Sequence, residues 1–294
     1  MTETLPVIEI THKLGLSINA ELSLCYTCGT CAAECPVNRA TGLLQPQKYV
    51  RAASLGVLDE FIASPEIWYC LGCNRCSNNC PMTVKPSVLL DFMRREAVRR
   101  GLAPAGTGRR IREMQMLLGR VRWNLARHCM NGGSDIDMQS AWSALSEKPV
   151  AVQPAPIESR NGGAKEFRKS FGGYMGSLTN INSCFTCCEC TNSCPVFREA
   201  GLFDPMRILR SIAFGLRDEL LGSPSIWLCL GCGSCTQACG QDVKGHLVLR
   251  RARELAVEGG FVSAGFPDRW RLAEKPAYRE YAQRVDTLLR GGAA

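Results

Sequence analysis

The 294-residue chain has few aromatic residues, 7% of the total, and only three histidines. No apolar run comes near the roughly 18 residues that a membrane helix needs. Leu5 to Ile10 is too short and too interrupted to span. Met1 to Pro6 lack the basic region and apolar stretch of a secretory signal, so a cytoplasmic chain without direct membrane insertion is expected. Strand patterns are nearly missing: only Val7-Ile8-Glu9-Ile10 alternates. No glycine-rich dinucleotide fingerprint follows a strand, so the sequence does not indicate a bound flavin or nicotinamide. The 46% hydrophobic share counts 18 cysteines. The true apolar supply is therefore thin for a chain of this size, and something other than packing must help organise the interior.

That something is cysteine. In a reducing compartment, dense cysteine points to metal rather than disulfide. Cys25, Cys28, Cys31 and Cys35 are spaced C-x2-C-x2-C-x3-C and followed by Pro36. Cys70, Cys73, Cys76 and Cys80 repeat the spacing with Pro81, and Cys184, Cys187, Cys190 and Cys194 with Pro195. Cys229, Cys232, Cys235 and Cys239 do so once more, with Gly240 in place of proline. A constant offset of 159 residues relates the second half to the first and extends beyond the cysteines. Ser64-Pro65-Glu66-Ile67-Trp68 matches Ser223-Pro224-Ser225-Ile226-Trp227, and Gly42, Pro46 and Arg51 find Gly201, Pro205 and Arg210. Aligned without a gap, Cys25–Gly101 and Cys184–Gly260 agree at about two positions in five. Convergent cysteine spacing would not reproduce the residues between, so this is an internal duplication.

The pattern predicts a mainly α chain. Pro46 opens a helix with Tyr49, Val50, Ala53, Val57 and Phe61 on one stripe, and Ser64-Pro65 and Ser223-Pro224 start a further turn. Leu89 to Arg100 and Leu247 to Glu258 read as helices. Leu102 to Met130 places Ile111, Met114, Leu117, Leu118, Val121 and Leu125 at helical intervals, with Arg109, Arg110, Arg112, Arg120, Arg122 and Arg127 elsewhere. Pro149 to Gly163 reads as an irregular linker. The expected organisation is a first cysteine-rich domain over 1–101, a linker with an amphipathic helix over 102–175, and a second domain over 176–294.

Zinc knuckles take two cysteines separated by a longer stretch from the next pair. Three cysteines at three-residue steps, with a fourth four residues on, instead form the dicluster iron–sulfur pattern, in which the fourth cysteine of each run ligates the neighbouring cluster. Four 4Fe-4S clusters are therefore expected. Their ligands would be Cys25, Cys28, Cys31 with Cys80, and Cys70, Cys73, Cys76 with Cys35. In the second half they would be Cys184, Cys187, Cys190 with Cys239, and Cys229, Cys232, Cys235 with Cys194. The formal charge of +8 then acts mostly as a counterweight to buried cluster charge, which makes nucleic acid a poor partner. A solvated face and a dock for an acidic partner are both open for the linker arginines. Cys129 and Cys188 are spare, and His12, His128 and His246 have no metal spacing.

The paired C-x2-C-x2-C-x3-C-P groups, with helix between them and W-x-C-x-x-C leading into the second, resemble the C-type iron–sulfur subunits of heterodisulfide reductase. The resemblance covers Cys25–Gly101 and again Cys184–Gly260, so the chain looks like two such subunits fused. It implies two tandem α-helical ferredoxin-like domains with pseudo-two-fold duplication. The implied role is electron transfer between a flavin-containing heterodisulfide reductase A-like subunit and a heterodisulfide reductase B-like catalytic subunit, with no catalytic residue in this chain. The duplication and Gly240 depart from the family pattern. The subunit that reduces the disulfide uses C-C-G motifs, whereas Cys187-Cys188 is followed by Glu189. The succinate dehydrogenase iron–sulfur subunits share the fold but need an upstream 2Fe–2S domain, and only 24 residues precede Cys25. The alternative is a chain whose partly exposed cluster itself reduces a small molecule.

Overall fold

A computed structural model describes residues 21–133, 137–146, 164–172, 179–196 and 202–291. The described residues form helices and turns, with no strand among them. Val7 to Ile10, Pro149 to Gly163 and His12 lie outside the described residues. The chain divides into two compact units, one of Met1–Gln115 with Tyr278–Ala294 and the other of Met116–Ala277.

In the first unit proline repeatedly sets where helices begin. Its fixed φ suits the first helical turn, where its missing N–H costs nothing. Pro36 opens Pro36–Thr41, Pro46 opens Pro46–Ser54, Pro65 opens the 3₁₀ turn Pro65–Tyr69, and Pro86 opens Pro86–Arg99. The helix Pro46–Ser54 buries Tyr49, Val50, Ala52 and Ala53. It ends sooner than its apolar stripe predicts, because the chain turns at Gly56 with φ of 72°. Phe61 continues the stripe from a 3₁₀ turn and meets Tyr49 edge-on, with ring centroids 6.2 Å apart. Pro86–Arg99 buries Leu89, Leu90, Met93 and Ala97 against this layer. Leu89, Leu90 and Met93 each contribute about 1.5–3 kcal/mol when fully buried. Tyr69 donates a hydrogen bond to Asp286 at 2.6 Å, tying the C-terminal segment to the residue just before Cys70.

The second unit repeats the order. Pro205–Ala213 is capped by Asp204, whose carboxylate accepts from the Met206 amide, and Ser225–Leu228 and Gly245–Glu258 follow. Its core gathers Phe203, Leu209, Ile212, Trp227, Val248, Leu249 and Phe266. Trp227 meets Phe266 with centroids 4.6 Å apart. Cys129 packs in this core, which accounts for one of the two spare cysteines.

The helix Thr107–Met130 falls within the amphipathic stretch predicted over Leu102 to Met130 and starts five residues later. Ile111, Met114, Leu118, Val121 and Leu125 are buried, and Leu117 is half-buried. Arg109, Arg110, Arg112 and Arg127 are exposed, but Arg122 is only 4% exposed. Arg122 therefore belongs to the interior rather than to the solvated face.

Candidate metal centres

The four cysteine loops share a backbone conformation. In each, the residues before and after the second cysteine have positive φ: Thr27 and Gly29, Gly72 and Asn74, Thr186 and Cys188, Gly231 and Gly233. Thr27, Asn74, Thr186 and Cys188 adopt it as non-glycine residues, at 59–65°. Such residues cost on the order of 1–3 kcal/mol each and persist where the surroundings dictate them. The double reversal brings three cysteines to the border of one cavity, and a short helix then carries the third: Thr30–Glu34, Arg75–Asn78, Glu189–Asn192 and Ser234–Gln237.

The loops enclose four cavities. One of about 360 Å³ is bordered by Cys25, Cys28, Cys31 and Cys80. A second of about 320 Å³ is bordered by Cys70, Cys73, Cys76 and Cys35. In the other unit, a cavity of about 390 Å³ carries Cys184, Cys187, Cys190 and Cys239, and one of about 290 Å³ carries Cys229, Cys232, Cys235 and Cys194. Each cavity thus takes three cysteines from one run and the fourth from the other. The 390 Å³ cavity also touches the exposed Cys188, in the place of Gly29. Cys235 borders both cavities of its unit. Among the described residues, no three cysteine, histidine or acidic side chains converge as ligands of a single ion.

Burial differs between the cavities. Cys28, Cys187 and Cys188 are exposed, whereas Cys35, Cys73, Cys76, Cys190, Cys232 and Cys235 are buried. Each unit therefore has an outer cavity bordered by an exposed cysteine, joined in the second unit by Cys188, and an inner cavity bordered by none.

Several thiols of these cavities are poor bare anions. Burial pushes Cys31 up to about 11, with Cys25 adding to the rise, and pushes Cys35 up to about 12, with Cys70 contributing. Burial raises Cys190 to about 11, and raises Cys76 and Cys235 further still. The exposed Cys28 is lowered, by the Thr30 hydroxyl beside it. Several thiolates crowded without water repel one another, and a cationic core among them removes that penalty. The donor set, four cysteine sulfurs bordering each cavity, fits an iron–sulfur group.

The surroundings supply positive charge and N–H donors. The Gly72 amide donates to Cys70 Sγ at 3.4 Å, and the Gly231 amide to Cys229 Sγ at 3.3 Å. Arg94 donates to the carbonyls of Ile67 at 2.8 Å and Cys70 at 2.5 Å, and lies over Trp68. Its repeat counterpart Arg253 donates to Ile226 at 2.8 Å and Cys229 at 2.6 Å, over Trp227. Trp68 and Trp227 are thus packing platforms for these arginines. At Cys229 the protein packed around the thiol pushes it up, and Arg253 and Arg122 pull it back. His246 borders the cavity of Cys229 and meets Thr236 through Nδ1 at 2.6 Å, where the first unit pairs Ser87 with Ser77.

Two family models, both described as a 4Fe-4S dicluster domain, match residues 24–85 and 180–243. The chain is 35% identical over 98 residues to the C subunit of the H(2):CoB-CoM heterodisulfide,ferredoxin reductase of Methanothermobacter thermautotrophicus, covering 33% of this chain and 52% of that protein. It is 38% identical over 89 residues to a protein of Archaeoglobus profundus named as like the C subunit of heterodisulfide reductase, covering 30% and 46%. It is also 38% identical over 88 residues to an iron-sulfur protein of Methanocaldococcus jannaschii, the second C-type subunit of its CoB--CoM heterodisulfide reductase, covering 30% and 46%. The chain spans about half the length of these curated relatives. No solved structure matches it. No helix among the described residues is long and apolar enough to cross a membrane.

Proposed function

We propose that this chain, an iron–sulfur protein like the C subunits of heterodisulfide reductase and carrying two 4Fe-4S dicluster domains, holds four 4Fe-4S clusters and relays electrons within a cytoplasmic heterodisulfide reductase-like complex. Its neighbours there would be a flavin-containing A-like subunit and a B-like reductase subunit. A bound cluster supplies one-electron redox chemistry; the chain's residues hold, insulate and order it. Cys25, Cys28, Cys31 and Cys80 would hold one cluster and Cys70, Cys73, Cys76 and Cys35 the next. Cys184, Cys187, Cys190 and Cys239 would hold the third and Cys229, Cys232, Cys235 and Cys194 the fourth.

One observation carries this reading most. Each unit pairs a cavity bordered by an exposed cysteine, Cys28 or Cys187, with a cavity bordered by none, and Cys235 borders both in the second unit. That order suits electrons entering at an exposed edge and resting inside. Co-purification from the native organism tests it: A-like and B-like subunits should accompany the chain. Recovery of the chain alone, with an intrinsic small-molecule reductase activity, would contradict it.

A further inference from the structure

Arg122 is the one arginine of the helix Thr107–Met130 that the sequence groups with the solvated face and the structure buries, at 4% exposure. Its Nη1 donates to the Leu228 carbonyl at 3.0 Å, one residue before Cys229. Its Nη2 pairs with Glu274 Oε2 at 3.0 Å, and its guanidinium lies 5.8 Å from the Trp270 ring centroid. The pair is uneven. The Arg122 side chain is 5% exposed and the Glu274 side chain 22%. Water therefore screens the carboxylate more than the cation, and the interior beside Cys229 feels net positive charge. In the first unit, the carbonyl of Cys70 is met by the neutral amide of Gln115 at 3.2 Å. A charged pair does stand near the first unit's inner cavity, but Arg75 and Glu34 are 20% and 33% exposed.

We propose that Arg122 is a tuning residue for the site of Cys229, Cys232, Cys235 and Cys194, raising its reduction potential so that an electron entering the second unit settles there. The inference rests on the four-cluster reading. Reduction adds one negative charge to the site, and a buried guanidinium stabilises that added charge more than the oxidised form. Glu274 holds Arg122 in place and partly offsets it, so the two side chains act in opposite directions on the same site.

The test is an anaerobic redox titration of the full chain, followed by electron paramagnetic resonance, with iron counted in every sample. The signal of this site is identified by its change in Cys194→Ser. Arg122→Gln, which substitutes the kind of amide found at Gln115, should shift the reduced-to-oxidised ratio at fixed potential at least tenfold toward oxidised, about 59 mV downward for one electron. Glu274→Gln should move the same signal upward. A merely structural disturbance would not move the two variants in opposite directions. Iron-loaded Arg122→Gln with an unmoved signal, or both variants shifting the same way, would overturn the proposal. If Arg122→Gln fails to fold, the direction of Glu274→Gln decides. Wild-type protein without iron would overturn the four-cluster reading itself.

Discussion

The guanidinium of Arg94 donates to the carbonyl oxygen of Cys70 at 2.5 Å, from a helix that starts only after the cysteine loop has ended. Arg253 does the same to Cys229 at 2.6 Å, and both arginines also take the carbonyl three residues earlier. Arg94→Met keeps an apolar stem over Trp68 but removes two charge-assisted hydrogen bonds. Such bonds contribute about 1.5–3 kcal/mol each, so the first unit should lose on the order of 3 kcal/mol. Anaerobic thermal unfolding of the loaded protein, followed by cluster absorbance, should show an earlier loss of part of the signal. An unchanged melting curve would show that these bonds stabilise nothing.

The crossed ligand sets make a sharper statement. Cys35 borders the cavity of Cys70, Cys73 and Cys76 and not that of Cys25, Cys28 and Cys31. Cys35→Ser should therefore alter the same paramagnetic signal as Cys73→Ser and leave the second unit's signals intact. If Cys35→Ser instead matched Cys28→Ser, the ligands would not be crossed.

Gly240 stands where the other three runs have proline, so it restores a backbone N–H beside Cys239. A hydrogen bond to a cluster sulfur raises its potential. The backbone at Gly240 is not left-handed, and a Cβ there would meet nothing within 4 Å, so proline can be tested without a clash at that carbon. Gly240→Pro should lower the potential of the Cys184, Cys187, Cys190 and Cys239 site. A potential that stays put or rises in the titration would remove this role for the N–H.

The duplication, the loops and most helices were legible in the sequence because they rest on local rules. Proline at Pro46, Pro65 and Pro86 marks helix starts, and cysteine spacing marks the loops. The crossed sets are an expectation from the spacing; the cavities bring the same cysteines together, one of them with Cys188 and Cys235 added. What stayed hidden depends on distant partners. The helix Phe266–Leu289 contains Pro276, which reads locally as a breaker. Arg122 looked like one more solvated arginine, since its partner Glu274 lies 152 residues away. The role of Gln115 at the Cys70 carbonyl was equally invisible, because it needs the tertiary fold to bring the two together.

The most direct measurement is the iron and sulfide content of the anaerobically purified full chain. Four cysteines per cubane and sixteen cysteines in the four runs give an expected content of about sixteen irons and sixteen sulfides per chain, with broad visible absorption that bleaches on reduction. Stoichiometric zinc, with no such absorption after anaerobic reconstitution, would contradict the four-cluster assignment outright.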